Sequence, residues 1–134
     1  MPWNVLFHDD FLTEIQAMSV TLQDELLAHA RLLQEFGPHL GRPTVDTLKG
    51  SKHGNMKELR FDHEGGVWRV AFAFDTERAA ILLVGGDKGG AGQRRFYKKL
   101  IGTADARFDQ HLATLKATSV SKQAKEKKYG KKSE

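Results

Sequence analysis

The stretch ELRFDHEGGVWRVAFAF, residues 58–74, decides the fold: two strand-forming runs separated by the turn DHEGG. Side chains alternate across a strand, so parity assigns their faces. In VWRVAFAF, Trp68, Val70, Phe72 and Phe74 share one face, and Arg69, Ala71 and Ala73 share the other. In MKELRF, Leu59 and Phe61 are the core pair, so Glu58 and Arg60 stand on the same side as Arg69. The large apolar set is expected against helices, leaving Glu58, Arg60 and Arg69 on an open sheet face. A local reading competes with any functional one: Glu58 could simply bridge Arg60 or Arg69, and such cross-strand pairs contribute only about 0.2–1 kcal/mol.

Working outward, WNVLF reads as a first strand and FLTEIQAM as a short helix. Leu22, Leu26, Leu33 and Phe36 mark an amphipathic helix that Ser19 or Thr21 can cap and Gly37-Pro38 ends. Residues 37–55 are rich in turn formers and form a long loop, a feature that in a compact domain usually serves function or stays disordered. After a turn at Asp75-Thr76-Glu77, RAAILLVG reads as a buried strand. Tyr97, Leu100, Ile101, Ala104, Phe108, Leu112 and Leu115 follow at helical spacing, with Gly102-Thr103 as a possible kink. The fold class expected is α+β: an N-terminal strand, two helices, an antiparallel three-stranded meander and a C-terminal helix. The 134 residues divide into one domain, 1–116, and a lysine-rich tail, 117–134, which lacks an apolar stripe and is expected to be flexible.

Charge is distributed unevenly. The tail holds six lysines and two glutamates, which account for the whole net charge of +4, so residues 1–116 are neutral. Within that body residues 1–36 carry six acids against Arg31, whereas residues 88–99 carry Lys88, Arg94, Arg95, Lys98 and Lys99 with no acid. Residues 42–60 add Arg42, Lys49, Lys52, Lys57 and Arg60 against Asp46 and Glu58. A basic centre of this kind suits a polyanion or an acidic protein partner, and equally a solvated surface. The absence of cysteine removes disulfides, thiolate chemistry and Cys-ligated zinc. No apolar run approaches the roughly 20 residues of a membrane helix, and the start is no signal peptide, so a cytoplasmic protein is expected.

The order of elements, with LGRPTVDTLKGS, MKELRF, GGVWRVAFAFD, ILLVGGDKGG and RFYKKLI, resembles the RelE/ParE toxin superfamily, in its HigB-like, phage Gp49-related branch. The likeness runs over roughly residues 2–116. It implies a metal-independent and cofactor-free endoribonuclease that cuts mRNA on the ribosome. It also implies a cognate antitoxin, of helix-turn-helix type, that forms a hetero-oligomer with the toxin. ParE-type members poison DNA gyrase instead, and a non-catalytic relative that only binds a partner is the third class.

The residues that would carry RNA cleavage follow from its chemistry. Attack of a 2′-OH on the adjacent phosphate needs a proton acceptor, cations for the charge on phosphorus and a donor for the leaving 5′-oxygen. By resemblance, Arg69 is the phosphate-gripping arginine, with Arg60 beside it; Lys88, Tyr97 and Asp46 match a basic residue, a tyrosine and an acidic residue at such sites. Glu58 is a candidate base, blunted by arginines on either side. Lys49, Lys52, His53, Lys57, Arg94, Arg95 and Lys98 form the candidate RNA-binding set. Each has a plainer alternative: Tyr97 as a packed core residue, Asp46 as an Asx turn, His53 as a solvated histidine, Asp87 as a turn former or partner of Lys88. Where RelE carries strand lysines, this chain has Met56 and Glu58, with Lys57 on the opposite face.

Overall fold

The computed structural model describes residues 2–90 and 92–130, with side chains to residue 119. Its elements run β1 (Asn4–Phe7), α1 (Asp9–Gln16), α2 (Val20–Phe36), β2 (Val45–Thr47), β3 (Met56–His63), β4 (Gly66–Phe74), β5 (Ala79–Asp87) and α3 (Gln93–Gly130), with a 3-10 turn at Gly37–His39 after α2. The strands form one sheet in the order β1-β5-β4-β3-β2. β1 lies parallel to β5 and every other neighbour is antiparallel. The expected meander is present as β3, β4 and β5. The short edge strand β2 was not expected, because VDT sits inside a glycine-rich stretch where three residues give no period to read.

Local chemistry sets the element boundaries. The Ser19 hydroxyl accepts from Leu22 N–H at 3.2 Å and caps α2. Gly37 ends that helix at φ 55°, and a Cβ there would lie 2.4 Å from the Trp3 ring, so only glycine fits. The β3–β4 hairpin turns through Glu64 (φ 47°) and Gly65 (φ 79°), the positive-φ pair that a two-residue turn requires. At the next turn, Asp75 Oδ1 accepts from Glu77 and Ala79 N–H, and Oδ2 accepts from His111 at 2.8 Å.

Helices cover both faces of the sheet. α1 and α2 bury Phe11, Ile15, Leu22 and Leu33 against Leu59, Phe61, Val70 and Phe72, the face that parity assigns to the core. The opposite face is not open, as the sequence led us to expect. α3 lies on it and buries Leu100, Ala104 and Phe108 against Met56, Ala71, Ala73 and Leu83. The small side chains at 71 and 73 are what let the helix approach that face; they do not mark a bare surface. Arg107 pins α3 to α1, donating to both Glu14 oxygens at 2.8 and 2.6 Å and to the Leu83 carbonyl at 2.8 Å.

α3 runs without a break through Gly102 and Thr103 and continues as helix to Gly130, so most of the segment expected to be a flexible tail has helical backbone. Its alanines, lysines and glutamines are adequate helix formers even without a stripe to bury. Residues 117–119 are exposed. Removing residues 118–134 is therefore expected to leave the thermal unfolding midpoint of the body unchanged; a large drop would mean that this stretch joins the core. Among the described residues no helix is long and apolar enough to cross a membrane.

Candidate active site

Strand register brings the charged residues together. Pairing places Arg60 opposite Arg69, Asp46 opposite Glu58, and Arg69 opposite Gly86. Lys88 follows one step beyond β5, its N–H bonded to the Val67 carbonyl at 2.8 Å. Asp87 is the turn former: its Oδ1 accepts from Val67 N–H at 2.9 Å and from Gly89 N–H at 2.8 Å, which fixes the bend that presents Lys88.

Glu58 is the centre of the cluster. Its Oε1 accepts from the Tyr97 hydroxyl at 2.9 Å, lies 3.1 Å from Arg69 Nε and 3.9 Å from Arg60 Nε. Arg60 Nη1 also lies 3.9 Å from Asp46 Oδ2. Arg69 Nη1 donates to its neighbour's carbonyl, Trp68 O, at 2.8 Å. Glu58 and Arg69 are 7% and 6% exposed, so this is a buried ion pair under α3 rather than an exposed clamp. The Arg69 Nε–H, despite the short distance, does not point along a hydrogen bond to any acceptor. The intra-sheet salt bridge considered from the sequence thus exists, close to Arg69 and looser to Arg60.

Two side chains reach this pair from the edge. Burial first, then the hydrogen bond to Glu58 and its charge, raise the Tyr97 phenol above its ordinary range, opposed by Arg69. Tyr97 is consequently a neutral donor, half packed in the α3 core and half committed to the site. Lys88 Nζ sits 5.7 Å from the Tyr97 ring centroid. Desolvation, then repulsion from Arg69, lowers the Lys88 ammonium below the usual lysine range; Glu58 opposes this and Arg60 adds to it. Asp46 Oδ1 accepts from Thr47 N–H at 2.8 Å, the local bond expected of it, while Oδ2 faces Arg60. A groove of about 260 Å³ opens over Arg60 and Arg69, walled by Pro43 and Thr44.

The RNA-binding set expected from the sequence divides. Lys52 and His53 are held by α3: Lys52 pairs with Asp109, and His53 Nε2–H donates to Asp109 Oδ1 at 2.8 Å with its ring edge-on to Phe108. Ser51 donates to Asp105 at 2.5 Å, so carboxylates one helical turn apart on α3 hold the loop ahead of β3. That i, i+4 spacing was in the sequence, but nothing there pointed to its partners. Lys57 lies opposite Phe72 on the other sheet face, away from the site. Lys49 is exposed on the loop, and Arg94, Arg95 and Lys98 are exposed in the first turns of α3, the helix that carries Tyr97.

The clamp has a pH signature. The hydrogen bond from Lys52, then that from His53, holds the Asp109 carboxyl below its ordinary value. A lowered carboxylate contributes above its unfolded value and loses that contribution as pH falls through the folded one. Asp109→Asn should accelerate limited proteolysis within residues 48–55 at neutral pH and abolish the further acceleration that acid produces in the wild type. Equal cleavage rates in both proteins would show that the clamp is idle.

Residues 13–109 match the family model described as phage derived protein Gp49-like. The chain belongs to this family. The Gp49-like chain is 42% identical over 103 residues to "Putative toxin HigB2" of Mycobacterium tuberculosis, an alignment covering 76% of this chain and 51% of that protein. It is 49% identical over 83 residues to "Putative toxin HigB3" of the same organism, covering 62% and 70% respectively. It therefore spans about half the length of the first of these relatives. In structure, the Gp49-like chain superposes with a TM-score of 0.58 on a free-state arginine-to-alanine double mutant of the Escherichia coli toxin RelE, at 14% identity over 80% of this chain and 98% of that one. A chain of the archaeal RelE–RelB complex from Pyrococcus horikoshii gives 0.50 at 18% identity, over 68% and 100%. The fold is RelE-like, as the resemblance implied.

Proposed function

We propose that this Gp49-like protein is the toxin of a toxin–antitoxin pair and that it cleaves mRNA on the ribosome through attack of the RNA's own 2′-OH. The observation that supports it best is the convergence of Arg60, Arg69, Lys88 and Tyr97 around Glu58 beside an open groove. Three cations against two carboxylates, Glu58 and Asp46, leave a positive surplus that a bound phosphate would balance. Arg60 and Lys88, the more exposed of the three, would meet the phosphate oxygens; Arg69 stands behind them as a fixed charge.

The proton steps divide by environment. Glu58 is occupied by Tyr97 and Arg69, so it acts as a positioning residue. Asp46 is the more exposed of the two carboxylates and would accept the 2′ proton. Lys88, whose ammonium is easier to deprotonate than an ordinary lysine, would give its proton to the 5′-oxygen as the P–O5′ bond breaks. The naming of two relatives as toxins, and of a fold neighbour in complex with RelB, supports an antitoxin partner. Acidic antitoxin residues would neutralise this cation cluster and the basic start of α3.

The test is induction in a bacterial host with primer extension on ribosome-bound messages. New 5′ ends that require ribosomes, and that disappear with Lys88→Ala, are expected. Growth arrest with DNA breaks and intact messages would replace this reading with a gyrase-type one.

A further inference from the structure

A second cleft lies between β5 and the start of α3, and none of the chemistry above uses it. It encloses about 310 Å³, with Gly85 and Gly86 along the strand, Phe96 and Leu100 on the helix, and Arg95 and Lys99 beside them. That is the lower end of the size range of small-ligand sites. It touches the site already described, because Gly86 is the cross-strand partner of Arg69. Three features give it a chemistry. Phe96 lies half-exposed over the strand, and a Cβ at Gly86 would come within 3.1 Å of its ring. Glycine there is what admits an aromatic face to the cleft. Arg95 and Lys99, one helical turn apart, are both exposed, and among the described residues no carboxylate pairs with either. The nearby carboxylate, Asp87, has its Oδ1 committed to Val67 and Gly89 N–H. β1 pairs with β5 only as far as Leu82, so beyond that point β5 has a strand neighbour on one side only.

We propose that this cleft holds a nucleobase of single-stranded RNA adjacent to the cleaved phosphate, stacked on Phe96, with Arg95 and Lys99 on the flanking phosphates. The inference rests on the RNA-cleaving reading and adds a binding subsite to it. Two unpaired cations, an aromatic face and continuity with the Arg69 cluster favour a nucleic acid over an extended peptide added to the free edge of β5. Stacking on one aromatic face tolerates any base, so the subsite should anchor without reading sequence.

The experiment is fluorescence anisotropy of a labelled oligoribonucleotide, 2′-O-methylated so that it cannot be cut, titrated with the full chain over a range of salt. Loss of one base–aromatic stack costs roughly 5- to 150-fold in affinity. Phe96→Leu should weaken binding by that factor without changing the slope of log affinity against log salt. Phe96→Tyr keeps the ring and should restore affinity, which separates stacking from misfolding. Arg95→Gln with Lys99→Gln should flatten the salt slope by about 0.7 for each phosphate that is no longer neutralised. Wild-type affinity in Phe96→Leu and in the double variant, while Arg69→Lys or Lys88→Ala binds weakly, would overturn the subsite and leave the cleavage site standing. If wild-type affinity and its salt dependence are unmoved by every one of these variants, RNA binding at this surface fails altogether. If Phe96→Leu instead releases an antitoxin peptide and leaves RNA binding intact, the cleft is a protein-docking edge and the proposal is wrong.

Discussion

Replacing Arg69 with alanine is expected to destabilise the fold by about 3–5 kcal/mol, in addition to abolishing cleavage. On the open sheet face expected from the sequence, the fold would tolerate this substitution. It is 6% exposed, with Glu58 Oε1 3.1 Å from its Nε. Alanine would leave the Glu58 carboxylate buried under α3 with the Tyr97 hydroxyl as its close partner and Arg60 only at 3.9 Å. Removing one member of a buried pair is costly because the remaining charge stays desolvated. Removing both is not, so Glu58→Leu combined with Arg69→Met should recover most of the loss, less about 1 kcal/mol for the orphaned Tyr97 hydroxyl. Arg69→Lys keeps the charge but gives up the fork that reaches the Trp68 carbonyl, and should fall between wild type and alanine. Denaturant unfolding of the single and double variants measures the coupling directly. An Arg69→Ala protein as stable as the wild type would contradict the buried pair.

Lys88 is expected to behave in the reverse way, with a large effect on rate and almost none on stability. It stands on the loop after β5, and its described contacts are its backbone bond to Val67 and its approach to the Tyr97 ring. Lys88→Ala should lower single-turnover cleavage by roughly 10²–10³, the usual consequence of losing one preorganised charge donor, with an unfolding midpoint close to wild type. The pH dependence carries the mechanistic content. A proton donor works while protonated, so the rate is full below its pKa and falls as pH rises through it. Because burial and Arg69 lower that value, the alkaline limb should begin below the ordinary lysine range. Lys88→Arg keeps a cation that does not deprotonate in the accessible range, so the alkaline limb should vanish while the overall rate drops. A limb that persists unchanged in Lys88→Arg would mean that Lys88 only holds charge.

The candidate site was legible in the sequence as a set of residues, and less so as an arrangement. Parity alone places Glu58, Arg60 and Arg69 on one side of a hairpin, because a two-residue period survives any tertiary context. The order of strands and helices was readable for the same reason: each long element carries its own period, cap or turn residue. β2, only three residues long, was hidden because so short a strand has no pattern of its own. Lys52 and His53 looked like part of an RNA surface because their partners, Asp109 and Phe108, lie more than fifty positions away.

Local sequence therefore determined which residues share a face, where α2 starts and stops, and the positive-φ turn at Glu64-Gly65. Tertiary structure decided what covers that face. Ala71 and Ala73 are compatible with an open sheet and with a close-packed helix, and nothing within β4 distinguishes the two. Docking of α3 made the choice, burying the Glu58–Arg69 pair and bringing Tyr97 onto Glu58 across thirty-nine positions of chain. The same two side chains that would make a weak surface pair on an exposed hairpin become, beneath a helix, a desolvated pair whose separation is costly. Burial depends on which distant segment excludes the water, and that information is not contained in the strand itself.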